Sequence, residues 1–344
     1  MRHSDAQRQN PTQPSHGRTL RTPAALVAAG LLPEAAAEAA EAVAARYAIA
    51  VTPAMAALIG AAEDPPKDPI GLQYLPDPAE LITAPHEVED PTADAPFTPV
   101  KGVVHRYPDR ALLKPLLACP VYCRFCFRRE VVGPDGGLLS EAELEAALAW
   151  FAATPAVREV VLTGGDPLML SPRRLAWLVQ RLAEIPHIEI IRVHTRVPVA
   201  DPGRVTPALA AAMATDKAFY LCLHANHARE FTPEATEALA RLTRAGLVLL
   251  GQSVLLRGVN DSLEALEALF RTMLRHRVKP YYLHQLDPAP GTARFLVPEA
   301  EGLALTRALR GRLSGLGQPL YVRETAGGGG KVAVGAQETP ASRG

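Results

Sequence analysis

Seven short β-rich runs, several of them separated by amphipathic helical stretches, constrain this chain more than any other feature. The runs are ALLKPLLAC, REVVLTGG, IEIIRVHT, AFYLCLH, LVLLGQSVLL, VKPYYLHQ and PLYVRE. Between them lie SEAELEAALAWFAA, SPRRLAWLVQRLAEI, PEATEALARLTRAG and SLEALEALFRTMLRHR. Strand–helix alternation argues for a parallel sheet with helical crossovers. Six or seven such units point to an α/β fold, a partial (β/α)6-type TIM barrel, rather than a small doubly wound sheet. A barrel carries its chemistry at the C-terminal ends of its strands. The cysteine cluster, GGD, HTR, HANH, HQLD and a glycine run all follow such runs.

The rest of the chain divides by composition. Residues 1–20 are polar, with Pro and Gln and no periodicity, and are expected to be a disordered tail. Residues 21–100 form an N-terminal helical region and connector. PEAAAEAAEAVAARYA is helix-forming, with only a packing role expected of it. A second helix is expected from Pro53, capped by Thr52. Residues 63–100, rich in Pro and Asp, read as an irregular connector. The barrel takes 101–331, and 332–344 are a tail.

At 344 residues, 48% hydrophobic and 21% charged, the chain can bury a sizeable core. A formal net charge of zero argues against nucleic acid or an anionic membrane as the main partner. No run of about 18 apolar residues suggests a membrane span. The polar N-terminus has no apolar signal core, so a cytoplasmic location is expected. Four cysteines in a chain of this length do not form a disulfide framework and suit a reducing compartment.

Three of those four, Cys119, Cys123 and Cys126, fall in C-x3-C-x2-C within LLACPVYCRFCFRRE. Thiolates are soft ligands suited to iron–sulfur clusters or zinc. Structural zinc normally takes four protein ligands, and no convincing fourth lies nearby. Three thiolates on one short loop can hold a [4Fe–4S] cluster and leave its fourth iron open. Cys222, inside an apolar run, reads as a core thiol.

This spacing after the first barrel strand resembles the radical S-adenosylmethionine signature. HRYPDR, CRFCFRR, LTGGDPL, QSVLLRGVND, HQLDPAPGT and GGGGK narrow the resemblance to the lysine 2,3-aminomutase family. It runs from about Asp68 to Lys331. It implies a radical enzyme that moves the α-amino group of L-lysine to the β-carbon, giving β-lysine. The implied cofactors are a [4Fe–4S] cluster on Cys119, Cys123 and Cys126, S-adenosyl-L-methionine, and pyridoxal 5′-phosphate. Lys331 matches the lysine that forms the Schiff base with pyridoxal phosphate, and the glycine run before it is expected to carry its amine into the site. Arg106, Arg110 and Gln252 match contacts to the cofactor phosphate, for which forked guanidinium donors are suited. Gly164, Gly165 and Asp166 match the segment at S-adenosylmethionine, the glycines letting backbone approach the ligand. Arg128 matches the substrate-carboxylate anchor, and Asp287 and Glu324 the two acids around the side-chain ammonium. An external electron donor is implied as well.

The chain departs from the pattern in places. It ends thirteen residues after Lys331, without the zinc-ligating C-terminal extension typical of free-lysine enzymes. No zinc is therefore expected, and a homo-oligomer is left open. Ser262 stands where a cysteine is common, Phe125 where a histidine is, and Glu324 where aspartate is usual. CRFCFRR, YYLHQLD and the short C-terminus look like the branch that makes (R)-β-lysine for elongation factor P, whereas GGGGK looks like the free-lysine branch. Two alternatives stay open: an aminomutase for another amino acid such as glutamate, and a non-catalytic iron–sulfur or zinc protein. Two acids at the substrate end argue against an acidic side chain.

Overall fold

The computed structural model describes residues 17–325 and 330–335. One sheet carries its strands in chain order. They are β1 (Val103–Tyr107), β2 (Arg110–Leu116), β3 (Glu159–Gly164), β4 (Ile190–Thr195), β5 (Ala218–His224), β6 (Val248–Val254), β7 (Val278–His284), β8 (Leu320–Thr325) and β9 (Gly330–Ala333). β2 to β8 run parallel. β1 and β9 pair antiparallel on the two edges. Each expected β-rich run overlaps one of the parallel strands, with β2 beginning one residue earlier and β8 ending one residue later than expected.

Helices α1 (Pro23–Ala28), α2 (Ala37–Ala44), α3 (Pro53–Gly60) and α4 (Gly71–Tyr74) precede the sheet. The crossovers are α5 (Glu141–Ala152), α6 (Pro172–Ala183), α7 (Val197–Ala200) with α8 (Pro207–Ala211), α9 (Pro233–Arg244), α10 (Leu263–Arg275) and α11 (Glu299–Leu309). Six crossovers joining seven parallel strands make the expected (β/α)6 count plus a closing strand. Local chemistry starts these helices. Ser140 and Glu143 form a reciprocal capping box at α5. Ser171, Thr206 and Thr232 cap helices that begin with Pro, whose fixed φ suits a first turn. Ser262 caps α10 through Ala265 N–H.

The main core lies between the sheet and its helices and includes Leu162, Val193, Leu221, Leu249 and Leu283 from the strands. Cys222 is fully buried, its thiol pushed up to about 12 by burial, but it stands outside that cluster: it alternates with Leu221 and Leu223 on β5 and lies near Arg192 and Lys331 of the barrel interior. A second core joins α1 to α4 with Val121 of the cysteine loop and Ala200 after β4. The Ala-rich N-terminal region therefore braces the loops at the top of the barrel. Leu20, near the end of the expected tail, pairs with Val51 through two backbone hydrogen bonds of 2.8 and 2.9 Å. Residues 1–16 of that tail lie outside the described residues, as do 336–344. β9 continues to Ala333, and Val334 N–H donates to Tyr321 O at 2.9 Å, so the sheet extends past Lys331. No helix among the described residues is long and apolar enough to cross a membrane.

Candidate active site

A cavity of about 460 Å³ runs along the barrel axis. All thirteen residues singled out in the sequence line it: Cys119, Cys123, Cys126, Arg128, Gly164, Gly165, Asp166, Gln252, Asp287, Glu324, Lys331, Arg106 and Arg110. The β-strand C-termini and their loops bring most of them together. Arg106 and Arg110 arrive on the β1–β2 hairpin.

The cysteine loop is held by a buried carboxylate. Glu80, fully buried in the connector before the barrel, pairs with Arg124 at 2.7 Å, with Arg129, and with Arg294 at 3.5 Å. Arg124 also donates to Ala48 O at 2.8 Å, and its backbone N–H donates to Gln73 O at 2.8 Å. Burial alone would raise the Glu80 carboxyl, but Arg124, Arg129 and Arg294 hold it below its usual value. Phe125 turns its edge to His224 and Phe295 and fills a small apolar cluster at the loop ends. CRFCFRR thus alternates thiols facing the cavity with side chains that anchor the loop.

Burial pushes the Cys126 thiol up to about 11, with Cys123 adding repulsion. Burial raises Cys119 well above its ordinary value too, with Asp166 and Cys126 contributing. Neighbouring thiolates are costly without a positive centre to share them. Among the described residues, no three His, Cys, Asp or Glu side chains converge on a single metal ion. A cluster suits such a triad because each thiolate takes a different iron. Arg196, just after β4, donates through Nη1 to Cys123 Sγ at 3.1 Å.

The glycines of TGGD line the cavity and also serve a contact within the protein. A Cβ on Gly164 would lie 2.6 Å from Leu116 O, and one on Gly165 2.3 Å from Ala118 O. Their small size lets the end of β3 pack on the backbone leading into the cysteine loop. Gly165 and Asp166 N–H then donate to Leu116 O and Ala118 O at 2.8 and 2.9 Å. Asp166 is buried and engaged on both oxygens. Oδ1 accepts from Thr195 Oγ1 at 2.7 Å and Leu168 N at 3.0 Å, and Oδ2 from Arg196 N at 2.7 Å and Val197 N at 3.2 Å. It ties the β3 loop to the β4 loop.

Lys331 sits on β9, its backbone opposite Glu324 on β8. Gly327 to Gly329 lie outside the described residues. Gly330 has φ +69°, and a Cβ there would lie 2.6 Å from the Tyr107 ring. Lys331 N–H donates to Tyr107 Oη at 2.7 Å, so β9 meets β1 across the barrel's open seam. Lys331 Nζ pairs with Glu324, whose other oxygen lies 3.0 Å from Arg106 Nη2. Glu324 is thus shared by two cations. Asp287, three residues past β7, has no ion-pair partner among the described residues. Its carboxyl is pushed up to about 7 by burial and by the Glu324 charge, against Lys331, Arg128 and Arg106.

Arg128 is held loosely, at 3.3 Å from Asp94 Oδ2 and 3.5 Å from Thr163 Oγ1, and its buried Nε has no partner. A guanidinium with spare donors can take a ligand carboxylate. Arg110 lies 3.6 Å over the Tyr107 ring and donates to Asp109 at 2.8 Å. Gln252 Nε2 is 3.4 Å from His194 Nδ1. Three imidazoles line the cavity, His194 near the end of β4 and His224 and His284 at the ends of β5 and β7. His194 and His224 are held well below the usual value by burial and then by Arg192 and Arg196 respectively, and His284 falls to about 3 by burial and then Lys331. All three are neutral at neutral pH. The Nε2 atoms of His194 and His224 are buried without partners, so polar capacity faces the cavity unspent.

Sequence reasoning missed Asp94, Glu80 and Arg196. Asp94 lies in the stretch read as an irregular connector, yet it enters the cavity and pairs with Arg128 and Lys114, each at 3.3 Å. Nothing in its local spacing signals that role. Arg196 lay in the flagged HTR, where its place after a strand was the only available signal.

A barrel of this topology with three loop thiols at one mouth is the architecture of radical S-adenosylmethionine proteins. The family description "Radical SAM superfamily" matches residues 113–270. An L-lysine 2,3-aminomutase of Acetoanaerobium sticklandii is 40% identical over 83% of this chain and 69% of that one. An L-lysine 2,3-aminomutase of Escherichia coli is 38% identical over 76% of each. The crystal structure of Streptococcus suis SuiB bound to S-adenosylmethionine covers 64% of this chain and 51% of that one, with 14% identity and a TM-score of 0.49. The chain belongs to the lysine 2,3-aminomutase family.

Proposed function

We propose that this chain converts L-lysine to β-lysine by moving the α-amino group to the β-carbon. The observation that carries the reading is the convergence of three thiols, a lysine, a loosely held arginine and two acids on one cavity. In it Cys119, Cys123 and Cys126 hold a [4Fe–4S] cluster, with the Gly164–Asp166 backbone beside S-adenosylmethionine. Lys331 holds pyridoxal phosphate, and Arg106, Arg110 and Gln252 receive its phosphate. The two cofactors supply a radical that takes a hydrogen atom and an aldehyde that holds the migrating amine.

The chain's own residues bind and orient the substrate. Arg128 takes the lysine carboxylate with its unused donors. Asp287 and Glu324 take the side-chain ammonium, and in its absence Glu324 stays paired with Lys331 and Arg106. Glu324 would exchange one of these two cations for the substrate ammonium. Fixing both ends of one flexible substrate is what places a single C–H bond before a radical. A one-electron donor from outside the chain is required. A reducing compartment such as the cytoplasm suits the thiols.

A substrate panel tests the reading. Anaerobically reconstituted protein should convert L-lysine to β-lysine and leave L-glutamate unchanged. Turnover of glutamate as fast as lysine would favour the alternative aminomutase.

Asp287 also predicts a pH dependence. Its carboxyl ionises at about 7 in the free cavity, and only the ionised form pairs with an ammonium. Below that pH, binding must first expel the proton, so the apparent affinity for lysine should rise with pH through about 7 and then level off. Asp287→Asn should weaken lysine binding by about 10- to 100-fold and flatten the profile. Steady-state KM for lysine across pH 6 to about 8.5 checks both outcomes.

A further inference from the structure

We propose that Arg196 sets the reduction potential of the cluster by presenting a buried, charged N–H to one of its three cysteine sulfurs, with Glu230 limiting the effect. The inference rests on reading Cys119, Cys123 and Cys126 as cluster ligands. It adds that the protein treats Cys123 differently from the other two.

The guanidinium is held at both terminal nitrogens and by two rings, while its buried Nε has no hydrogen-bond partner among the described residues. Nη1 donates to Cys123 Sγ at 3.1 Å. Nη2 donates to Glu230 Oε2 at 2.8 Å and to Gln73 Oε1. The rings of Tyr74 and Phe125 lie 5.0 and 5.5 Å from its carbon centre. Its backbone N–H donates to Asp166 Oδ2 at 2.7 Å, so its starting point is fixed by the β3 loop.

The partners are fixed in turn. Glu230 Oε1 accepts from Asn226 N and His227 N at 2.8 and 2.9 Å. Asn226 Nδ2 donates to Gln73 Oε1 at 3.1 Å, and Asn226 Oδ1 accepts from Val254 N at 2.9 Å. Gln73, Asn226 and Glu230 are fully buried. The loops after β4 and β5, the end of β6 and α4 before the barrel thus fix one guanidinium, which reaches the Cys123 sulfur. The Arg128 backbone N–H serves Cys126, but among the described residues no side-chain cation donates to the sulfur of Cys119 or Cys126.

The electrostatics give the direction. Reduction adds one electron to the cluster from an external donor, with no bond formed or broken, and makes the site one charge more negative. A cationic N–H donor beside a ligand sulfur stabilises the more negative state more and raises the potential. Burial keeps water from screening the interaction. Glu230 carries the opposing charge and pulls the potential back.

Opposite shifts in two variants test this. Arg196→Gln should lower the cluster's midpoint potential, and Glu230→Gln should raise it. Both midpoints are read by dithionite titration followed by electron paramagnetic resonance, on protein with full iron and sulfide content. A purely structural network would impair cluster content or stability in both variants, not move the midpoint in opposite senses. Unchanged midpoints, or shifts in the same direction, would overturn the proposal. If Arg196→Gln does not hold iron, Glu230→Gln alone decides: a raised midpoint supports it, an unmoved one sinks it. Wild-type protein that takes up no iron and sulfide would overturn the cluster reading itself, a result distinct from an intact cluster indifferent to Arg196.

Discussion

Replacing Lys331 with alanine is expected to lower β-lysine formation by on the order of 10³-fold or more, with iron content and fold unchanged. The side chain leaves β9 toward Glu324 and Asp287, and its backbone is locked between Tyr107 Oη and β8. On the proposed reading, a covalent bond from Lys331 would hold the cofactor aldehyde in the cavity. Without it, the phosphate contacts proposed for Arg106, Arg110 and Gln252 would have to do so. The backbone of β9 does not depend on the amine, so Lys331→Ala should still fold. Glu324 retains Arg106 as a partner at 3.0 Å, which limits the charge left uncompensated. Turnover measured with cofactor absorbance and iron content on the same sample checks the prediction. Activity within about tenfold of wild type would remove Lys331 from the chemistry.

Glu80→Ala is expected to destabilise the protein by about 3–5 kcal/mol and to cost it the cluster. Glu80 is fully buried and balances Arg124, Arg129 and Arg294. Removing it leaves Arg124 and Arg129, which flank Cys126 in sequence, without an acid partner among the described residues, while Arg294 keeps Asp77 at 2.8 Å. The loop must then open toward water or the arginines must leave, and either movement pulls the thiols from their places. Glu80→Gln keeps the shape and loses the charge, so most of the effect should remain. The pH dependence has a definite sign. The Glu80 carboxyl in the folded state lies below its ordinary 4.5. Its contribution is therefore present above that value and is lost as pH falls below it toward the folded-state value. Denaturant midpoints across this range, with iron uptake measured alongside, test the account. A midpoint unchanged in Glu80→Ala would contradict it.

What could be read from the sequence follows what is local. The seven parallel strands are buried runs of β-branched and aliphatic residues, and such runs announce themselves. The edge strands did not. VVHRY and GKVA are short and carry polar residues, and they exist because β2 and β8 offer them partners. α11 was hidden by Gly302, which breaks the apolar pattern. The glycine is required because a Cβ there would lie 2.3 Å from Tyr321 Oη on β8.

The same rule separates the site residues. Cysteine spacing, TGGD and GGGGK are short-range patterns with a chemical meaning. Glu80, Asp94 and Arg196 act on groups far away in sequence, and no periodicity encodes which arginine a given acid will meet. TGGD teaches a subtler point. The glycines were assigned to ligand approach, whereas the contacts that forbid a Cβ are with the backbone of the cysteine loop. The motif positions the thiols at least as much as it faces a cofactor.

The most direct test follows the nitrogen. L-Lysine labelled with nitrogen-15 at the α-amino group is incubated without oxygen with reconstituted protein, pyridoxal phosphate, S-adenosylmethionine and a reductant. The account predicts β-lysine whose label is bonded to the β-carbon, seen by nuclear magnetic resonance. Label that remains on the α-carbon, in protein shown to hold both its cluster and pyridoxal phosphate, would contradict it.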